Sequence, residues 1–485
     1  MRTWLQRLGA MAAMLVVAGC ATPPPHVPEY AATASRIKFA AASVEFEQPV
    51  TLPPEPALQG SHPVDFYVGI ALERNPGVLA ARRAVAAQAQ VIPQVTALDD
   101  PMVTNTFWPI PEHSPQYTIM GRMPYALMVS QDVPWFGKLR VRGEVAEQEA
   151  RMALARLAQS ELRVVEEVRL AYYDIYFNQR AIEITLGNRR LLEDLLQIAD
   201  ARYRTGEASQ QDVLRAEVEL DRLDERLIGL RQAHQEAQAD LASLLHANPD
   251  AQPGTLSELE RSSVPAEIER LYDLAVRCRP ELQEQMAALV REQRNEELAR
   301  LRYYPDVTLG FGWDVMTTSQ AVSPTADGMD NFAFSVGFNI PLWRDKLRAG
   351  VNEAQQRVVE NARRYDAERD DTFRQIRRLM VQARALEEQI RLFRDNIIPR
   401  ASQALHVSIA DYRVGRIDFL TLIDNWTQLL MFQVQLVRLE ASLKQTLASL
   451  ERAVGCALAE ANPPAGMPAA AEAELLPPGP IFSEQ

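Results

Sequence analysis

FAFSVGFNIPLW, from Phe332 to Trp343, alternates large apolar residues with small ones. Successive side chains of a β-strand point to opposite faces, so residues two apart share a face. One face of this strand carries the large side chains Phe332, Phe334, Val336, Phe338 and Ile340. The other face carries only small or uncharged groups, whereas an exposed face of a soluble sheet usually carries long charged ones. This pattern is typical of a strand in a membrane β-barrel.

Three other stretches share the alternation to different degrees. The large residues of PDVTLGFGWDV fall on one face: Val307, Leu309, Phe311 and Trp313. YALMVSQDV is also regular, but in MVTNTFW the apolar face is interrupted by Asn105. Four strands are therefore predicted, over about 101–108, 125–133, 305–315 and 332–341. One such strand alone would suit a half-buried soluble sheet better, but three clean ones behind an export signal favour a membrane barrel.

The first 19 residues are predicted to be a lipoprotein signal peptide. Arg2 and Arg7 precede a short apolar run that ends in Val-Ala-Gly-Cys at Cys20. This resembles bacterial lipoprotein signals, which are cleaved before the cysteine, whose sulfur then carries lipid. Ala21, rather than an aspartate, favours the outer membrane by the same resemblance. The alternative is an ordinary secretory signal with a chance cysteine.

Composition limits the remaining possibilities. The chain has 485 residues and a formal net charge of −13, which argues against nucleic-acid binding because phosphate contacts need a basic face. After the N-terminus no helical run of 18 or more apolar residues occurs, so no transmembrane helix is predicted. Residues 20–62 are predicted to be a Pro/Ala-rich tether and residues 461–485 a disordered tail.

The two remaining cysteines, Cys278 and Cys456, are too few for a disulfide framework. They are expected to be buried as unpaired small apolar residues. A single bridge between them is the alternative.

The chain between tether and tail contains an internal duplication. ALERNPGVLA at 71–80 matches AVRCRPELQE at 275–284, and four more matches follow in the same order. One of these pairs is ARYRTG with ADYRVG, and the last is DLASLL with TLASLE. The chain therefore divides into two repeats, over 63–262 and 263–460. Each repeat is predicted to run helix, strand, strand, long helix, helix.

The long helices are predicted from periodicity and from missing prolines. No proline occurs between Pro134 and Pro249, and apolar residues recur every three or four positions. The segment from Lys138 to Arg204 can thus form one helix of roughly 100 Å, at about 1.5 Å per residue. The two helical hairpins are predicted to turn at about 205–209 and 414–418. Pro399 is predicted to kink the second long helix.

Helices of this length with short turns indicate an antiparallel coiled coil, with a soluble helical bundle as the alternative. Four strands cannot close a barrel around water, and an open edge in lipid leaves backbone groups unsatisfied at several kcal/mol each. Three chains would supply twelve strands, enough for an aqueous lumen. The predicted fold is therefore mainly α with a small β part, its four strands contributing to a shared trimeric membrane barrel.

From about Val64 to Val454 this plan resembles the TolC family of outer-membrane efflux channels, and its lipidated branch in particular. The resemblance rests on the duplicated plan, the PWFGKLR junction, the YRTG and YRVG turns and the LASL helix ends. It implies a homotrimer in outer-membrane lipid with a helical tunnel across the periplasm. It also implies docking on a periplasmic adaptor and an inner-membrane pump, for which a proton-driven pump of the resistance-nodulation-division type is expected.

The same resemblance implies where the tunnel closes. The family's gating positions match Asp212 and Asp424, and its tip tyrosine, which bonds to a neighbouring coil, matches Tyr412. The family's arginine position is Ile417 here, with Arg416 one place before it. Both aspartates could instead be solvated residues at helix starts, where the helix dipole favours them. The adaptor-facing tips would consist of Thr205, Gly206, Glu207, Val414 and Gly415.

No motif for catalysis or for a cofactor stands out. The six histidines are scattered, and there is no Walker motif or nucleophile elbow. We therefore predict a protein that is not an enzyme, with no metal and no cofactor apart from lipid on Cys20. Methionines lie near the strands, as flexible apolar filler or as a path for Cu(I) or Ag(I): Met102, Met120, Met123, Met128, Met316 and Met329.

The predicted function is a passive exit duct in an efflux system. Two alternatives stay open: a duct for type I protein secretion and a coiled-coil envelope lipoprotein that conducts nothing.

Overall fold

The structure is a computed structural model and describes residues 58, 60–107, 117–118, 120–259, 264–319 and 321–457. The predicted signal peptide, Cys20, most of the tether and the tail from 461 lie outside the described residues. Among the helices that are described, none combines the length and the apolar character needed to cross a bilayer.

In the described ranges up to residue 244, the chain forms five helices and four strands. In chain order these are β1 Gly60–His62, α1 Val64–Arg74, α2 Pro76–Ala89, α3 Val91–Thr96, β2 Met102–Phe107, β3 Tyr117–Thr118, β4 Gly121–Val133, α4 Lys138–Arg204 and α5 Gln210–Leu244. The long helix α4 has the predicted bounds. The single helix predicted at the start of the first repeat is instead two helices, because the proline after Asn75 disfavours helical geometry at that residue. The Asn75 side chain then caps α2 by accepting the Gly77 N–H.

The described part of the chain from residue 253 onwards follows a similar order. It comprises β5 Pro253–Thr255, α6 Ile268–Cys278, α7 Pro280–Leu301, β6 Val307–Thr317, β7 Asn331–Phe338, α8 Arg344–Leu392, a π-helical turn Phe393–Ile397, α9 Ile398–Arg413 and α10 Phe419–Val454. The π-helical turn ends two residues before Pro399, where the kink was predicted. Proline lacks the N–H that a regular helix needs, and the helix accommodates it by widening. At the matching place of the first repeat stands Arg190, and α4 is uninterrupted.

The sheet has the order β2-β4-β6-β7, with β3 pairing the start of β4, and all of its pairings are antiparallel. β1 and β5 form a separate parallel pair. All four predicted strands are present with shifted ends. β4 begins at Gly121 rather than at 125, and β7 ends at Phe338, so Ile340 lies beyond the strand that was predicted to contain it. Phe338 pairs with Val307, the first residue of β6, which accounts for this end.

The larger core lies where α1, α4, α5, α9 and α10 meet. Tyr172, Leu192, Leu241, Leu422 and Trp426 are all buried there. A second core lies where α6, α8 and α10 meet, and it includes Ile376, Met380 and Leu450.

Cys278 and Cys456 form a disulfide with their Cα atoms 5.9 Å apart, so the expectation that they are unpaired is wrong. Gly455 explains how they meet. It ends α10 in a left-handed conformation with φ of 88°, which turns Cys456 towards the end of α6. A Cβ at position 455 would lie 2.6 Å from the Cα of Arg279, so only glycine permits this approach.

Candidate functional site

The two hairpin tips have the same backbone geometry. Gly206 and Gly415 adopt left-handed conformations with φ of 78° and 74°. The Glu207 N–H donates to the Arg202 carbonyl at 2.9 Å, and the Arg416 N–H donates to the Asp411 carbonyl at 2.9 Å. This is the Schellman motif, which glycine adopts without steric cost and which satisfies the last carbonyls of a helix. The shared geometry of the two turns follows from the matching YRTG and YRVG sequences.

The structure brings Tyr412 and Asp212 together. Tyr412, near the end of α9, donates its hydroxyl to Asp212 Oδ2 on α5 at 3.2 Å. The tyrosine is only 2% exposed, and its ring packs at 5.4 Å from that of Phe419. Burial and the neighbouring Asp212 carboxylate raise the pKa of Tyr412 to about 12. At neutral pH the hydroxyl is therefore a donor that joins the second hairpin to the first.

The other two predicted gate residues lie elsewhere. Asp424 is exposed on α10, in the second turn after the cap residue Asp418. Arg416 pairs with Asp411 of its own turn at 3.5 Å. The helix dipole acts mainly within the first turn, so it can explain Asp212 but not Asp424. The gating roles of all four residues remain predictions.

Arg202 is a tip residue that the sequence reasoning missed. Its guanidinium lies 4.7 Å from the centre of the Tyr412 ring and donates from Nη1 to the Tyr412 carbonyl. Nη2 donates to the Glu207 carbonyl at 3.3 Å, and Nε lies 3.7 Å from the Glu207 carboxylate. One sequence signal was available: ARYRTG and ADYRVG differ most in charge at Arg202 and Asp411.

The predicted adaptor-facing residues surround these contacts. Thr205 donates its hydroxyl to the Arg202 carbonyl at 3.0 Å, and Val414 is exposed. Their contact with an adaptor stays a prediction.

The sheet segregates side chains as the alternation predicts. Rows of paired residues cross β6 and β7 on one face: Val307 with Phe338, Leu309 with Val336, Phe311 with Phe334, and Trp313 with Phe332. Phe334 is 84% exposed. The opposite face pairs Thr308 with Gly337, Gly310 with Ser335, and Gly312 with Ala333. The polar Asn105, which interrupts the apolar face, accepts a hydrogen bond from the Tyr125 hydroxyl at 2.7 Å.

Residues 68–246 and 271–456, one segment in each repeat, match the family of outer membrane efflux proteins. The chain belongs to this family, and the resemblance to TolC-type channels is confirmed.

Among curated relatives, the chain is 24% identical over 296 residues to OpmQ of Pseudomonas putida, a pyoverdine export outer membrane protein. That match spans 58% of this chain and 60% of OpmQ. Among solved structures, CusC aligns with a TM-score of 0.68 at 16% identity, over 85% of this chain and 99% of CusC. VceC of Vibrio cholerae aligns with a TM-score of 0.67 at 19% identity, over 81% of this chain and 96% of VceC. These structures share the fold with this chain.

Proposed function

We propose that this protein is the outer-membrane channel of a tripartite efflux system, a passive trimeric duct from periplasm to exterior. The main observation behind this proposal is the apolar face of the sheet. Its face of large apolar side chains is exposed, with Phe332, Phe334 and Phe338 all more than half accessible. A contiguous apolar face of this kind marks a surface that meets lipid or another protein.

The two edges of the sheet support assembly from three copies. Within the described ranges, the outer edges of β2 and β7 pair with no further strand. In a bilayer each unpaired backbone group costs several kcal/mol, so these edges need partners. β7 of one copy pairing with β2 of the next would close twelve strands around a lumen lined by the small residues.

The remaining parts fit the same proposal. Lipid on Cys20 would anchor the chain in the outer membrane. The hairpin tips would meet a periplasmic adaptor, and a proton-driven inner-membrane pump would supply the energy, so the duct needs no catalysis. OpmQ is named for exporting pyoverdine. This supports a small molecule rather than a polypeptide as cargo.

The test is ion current through the purified protein in a planar bilayer. Three Asp424 carboxylates from three copies would form a narrow negative ring that binds cations and closes the tunnel. We expect small, cation-preferring currents from wild type that grow severalfold in Asp424→Ala. The matched control is Asp221→Ala, which removes an exposed carboxylate farther along α5.

Two results would contradict parts of the proposal. Clear currents that Asp424→Ala leaves unchanged would support the channel and contradict a gating role for Asp424. No current from inserted protein would contradict the duct and favour the non-conducting envelope lipoprotein.

A further inference from the structure

We propose that Arg202 ties the two hairpin tips together by holding Tyr412, and so keeps the tips closed. It would be a positioning residue that takes the place of the arginine expected where Ile417 stands. The effect on closure rests on the proposed channel function, whereas the tie itself does not.

The contacts of Arg202 reach across two hairpins. Arg202 lies in the last turn of α4, whereas Tyr412 lies in the last turn of α9 in the second repeat. The guanidinium faces the Tyr412 ring at 4.7 Å and also donates to the Tyr412 carbonyl. A planar guanidinium can stack on a ring and donate hydrogen bonds in its own plane at the same time, which a lysine ammonium cannot do.

Little water competes for these contacts. The Arg202 side chain is 14% exposed, and the ring that it covers is more deeply buried still. Glu207 lies 3.7 Å away and supplies the opposite charge on the solvent side. An interaction of a charged donor is worth more here than on an open surface, because it is partly shielded from water.

Tyr412 is consequently held at three points by one hairpin. Arg202 on α4 holds its carbonyl and its ring, and Asp212 on α5 accepts its hydroxyl. The same carbonyl also accepts the Gly415 N–H at 3.1 Å, a bond of the second tip turn. The Arg202 contact is therefore made directly to the backbone of that turn.

Among the described residues, the other repeat has no matching tie. The residue equivalent to Tyr412 is Tyr203, which is 44% exposed. The residue equivalent to Arg202 is Asp411, an acceptor whose partner is Arg416 of its own turn at 3.5 Å. The arrangement is asymmetric: the arginine of the first hairpin contacts the tyrosine of the second, whereas the equivalent residue of the second hairpin pairs within its own turn. A general packing need of the tip turn would have placed an arginine in both repeats.

The first measurement is hydrogen–deuterium exchange of the backbone amides at 410–418 in the purified full-length protein. Loss of a hydrogen bond from a charged donor should speed local opening by about tenfold or more. We expect this acceleration in Arg202→Ala and a smaller one in Arg202→Lys, which keeps the charge but not the plane. The control is Arg204→Ala, whose side chain is 76% exposed and pairs with Asp200 on its own helix at 2.7 Å.

Unchanged exchange at 410–418 in Arg202→Ala would overturn the tie. If that variant does not fold, wild-type exchange in Arg202→Lys would overturn it instead. Bilayer current tests the effect on closure: we expect larger currents in Arg202→Ala than in Arg204→Ala, and equal currents would overturn it. Absence of current from the inserted wild-type protein would contradict the proposed function. The hydrogen–deuterium exchange at 410–418 would still test whether Arg202 holds Tyr412.

Discussion

At the scale of single residues, the surroundings of Tyr412 change the pKa of its hydroxyl. Tyrosine ordinarily has a pKa of 10.0, and burial with the Asp212 carboxylate nearby raises it to about 12. Because the raised value belongs to the folded state, the hydroxyl's contribution to stability is complete below pH 10. It is lost as the pH rises through about 12.

This shift can be measured directly. The phenol absorbance of wild type minus that of Tyr412→Phe should show one group titrating near pH 12, because the other tyrosines cancel. In a denaturant that unfolds both proteins the same difference should titrate near 10. A difference curve centred near 10 in the folded protein would mean that the Asp212 contact is not made in solution.

The resemblance to the TolC family singles out Asp212 and Tyr412, because both match family positions beside the tip turns. It does not locate Arg202, whose contacts depend on how two hairpins separated by some 200 residues pack together. A single sequence carries no signal for that contact beyond the charge difference between the repeats.

At the scale of elements, the bounds of the long helices follow from the local sequence, whereas the disulfide depends on contacts between distant segments. Helix α4 could be bounded from the sequence because it lacks proline and starts and ends beside Gly137 and Gly206. The disulfide could not be predicted from the sequence, because it depends on the close approach of Gly455 to Arg279. Disulfides persist in oxidising compartments, which agrees with an exported chain.

The disulfide should stabilise the end of α10. It joins residues 178 apart, and closing so long a loop in the unfolded chain is worth about 3–5 kcal/mol. We expect the double variant Cys278→Ala/Cys456→Ala to unfold at a lower temperature, followed by circular dichroism. A reductant should lower the midpoint of wild type and leave that of the double variant unchanged. Equal midpoints without reductant would show that the bond contributes nothing.

At the scale of the whole molecule, one exposed sheet face determines where the chain can reside. The alternation along FAFSVGF was enough to predict this face, since strand geometry fixes which side chains share it. The ends of β4 and β7 were less predictable. They depend on pairing with β6, which lies far away in the sequence.

The two faces can be tested with neighbouring residues. Phe334→Arg would place a charge on the lipid side, at a cost of about 2–4 kcal/mol near the bilayer centre. Ser335→Arg would place the same charge on the opposite face, towards the proposed lumen. We expect the first variant to lose membrane insertion, measured by flotation with vesicles. The second should insert and show weaker cation preference. Equal insertion of both would mean that the lipid face has been misassigned.

The duplication of the chain has a consequence for recognition. An assembly built from a shorter chain with one repeat would present only identical tips, because every copy would carry the same turn. A substitution in that turn would then change every tip of the assembly. Here the two turns share a backbone geometry but carry reversed charges, Arg202 with Glu207 in one and Asp411 with Arg416 in the other. Because the two tips belong to one chain, each can differ from the other, and a partner that binds the tips of one chain meets two chemically distinct surfaces.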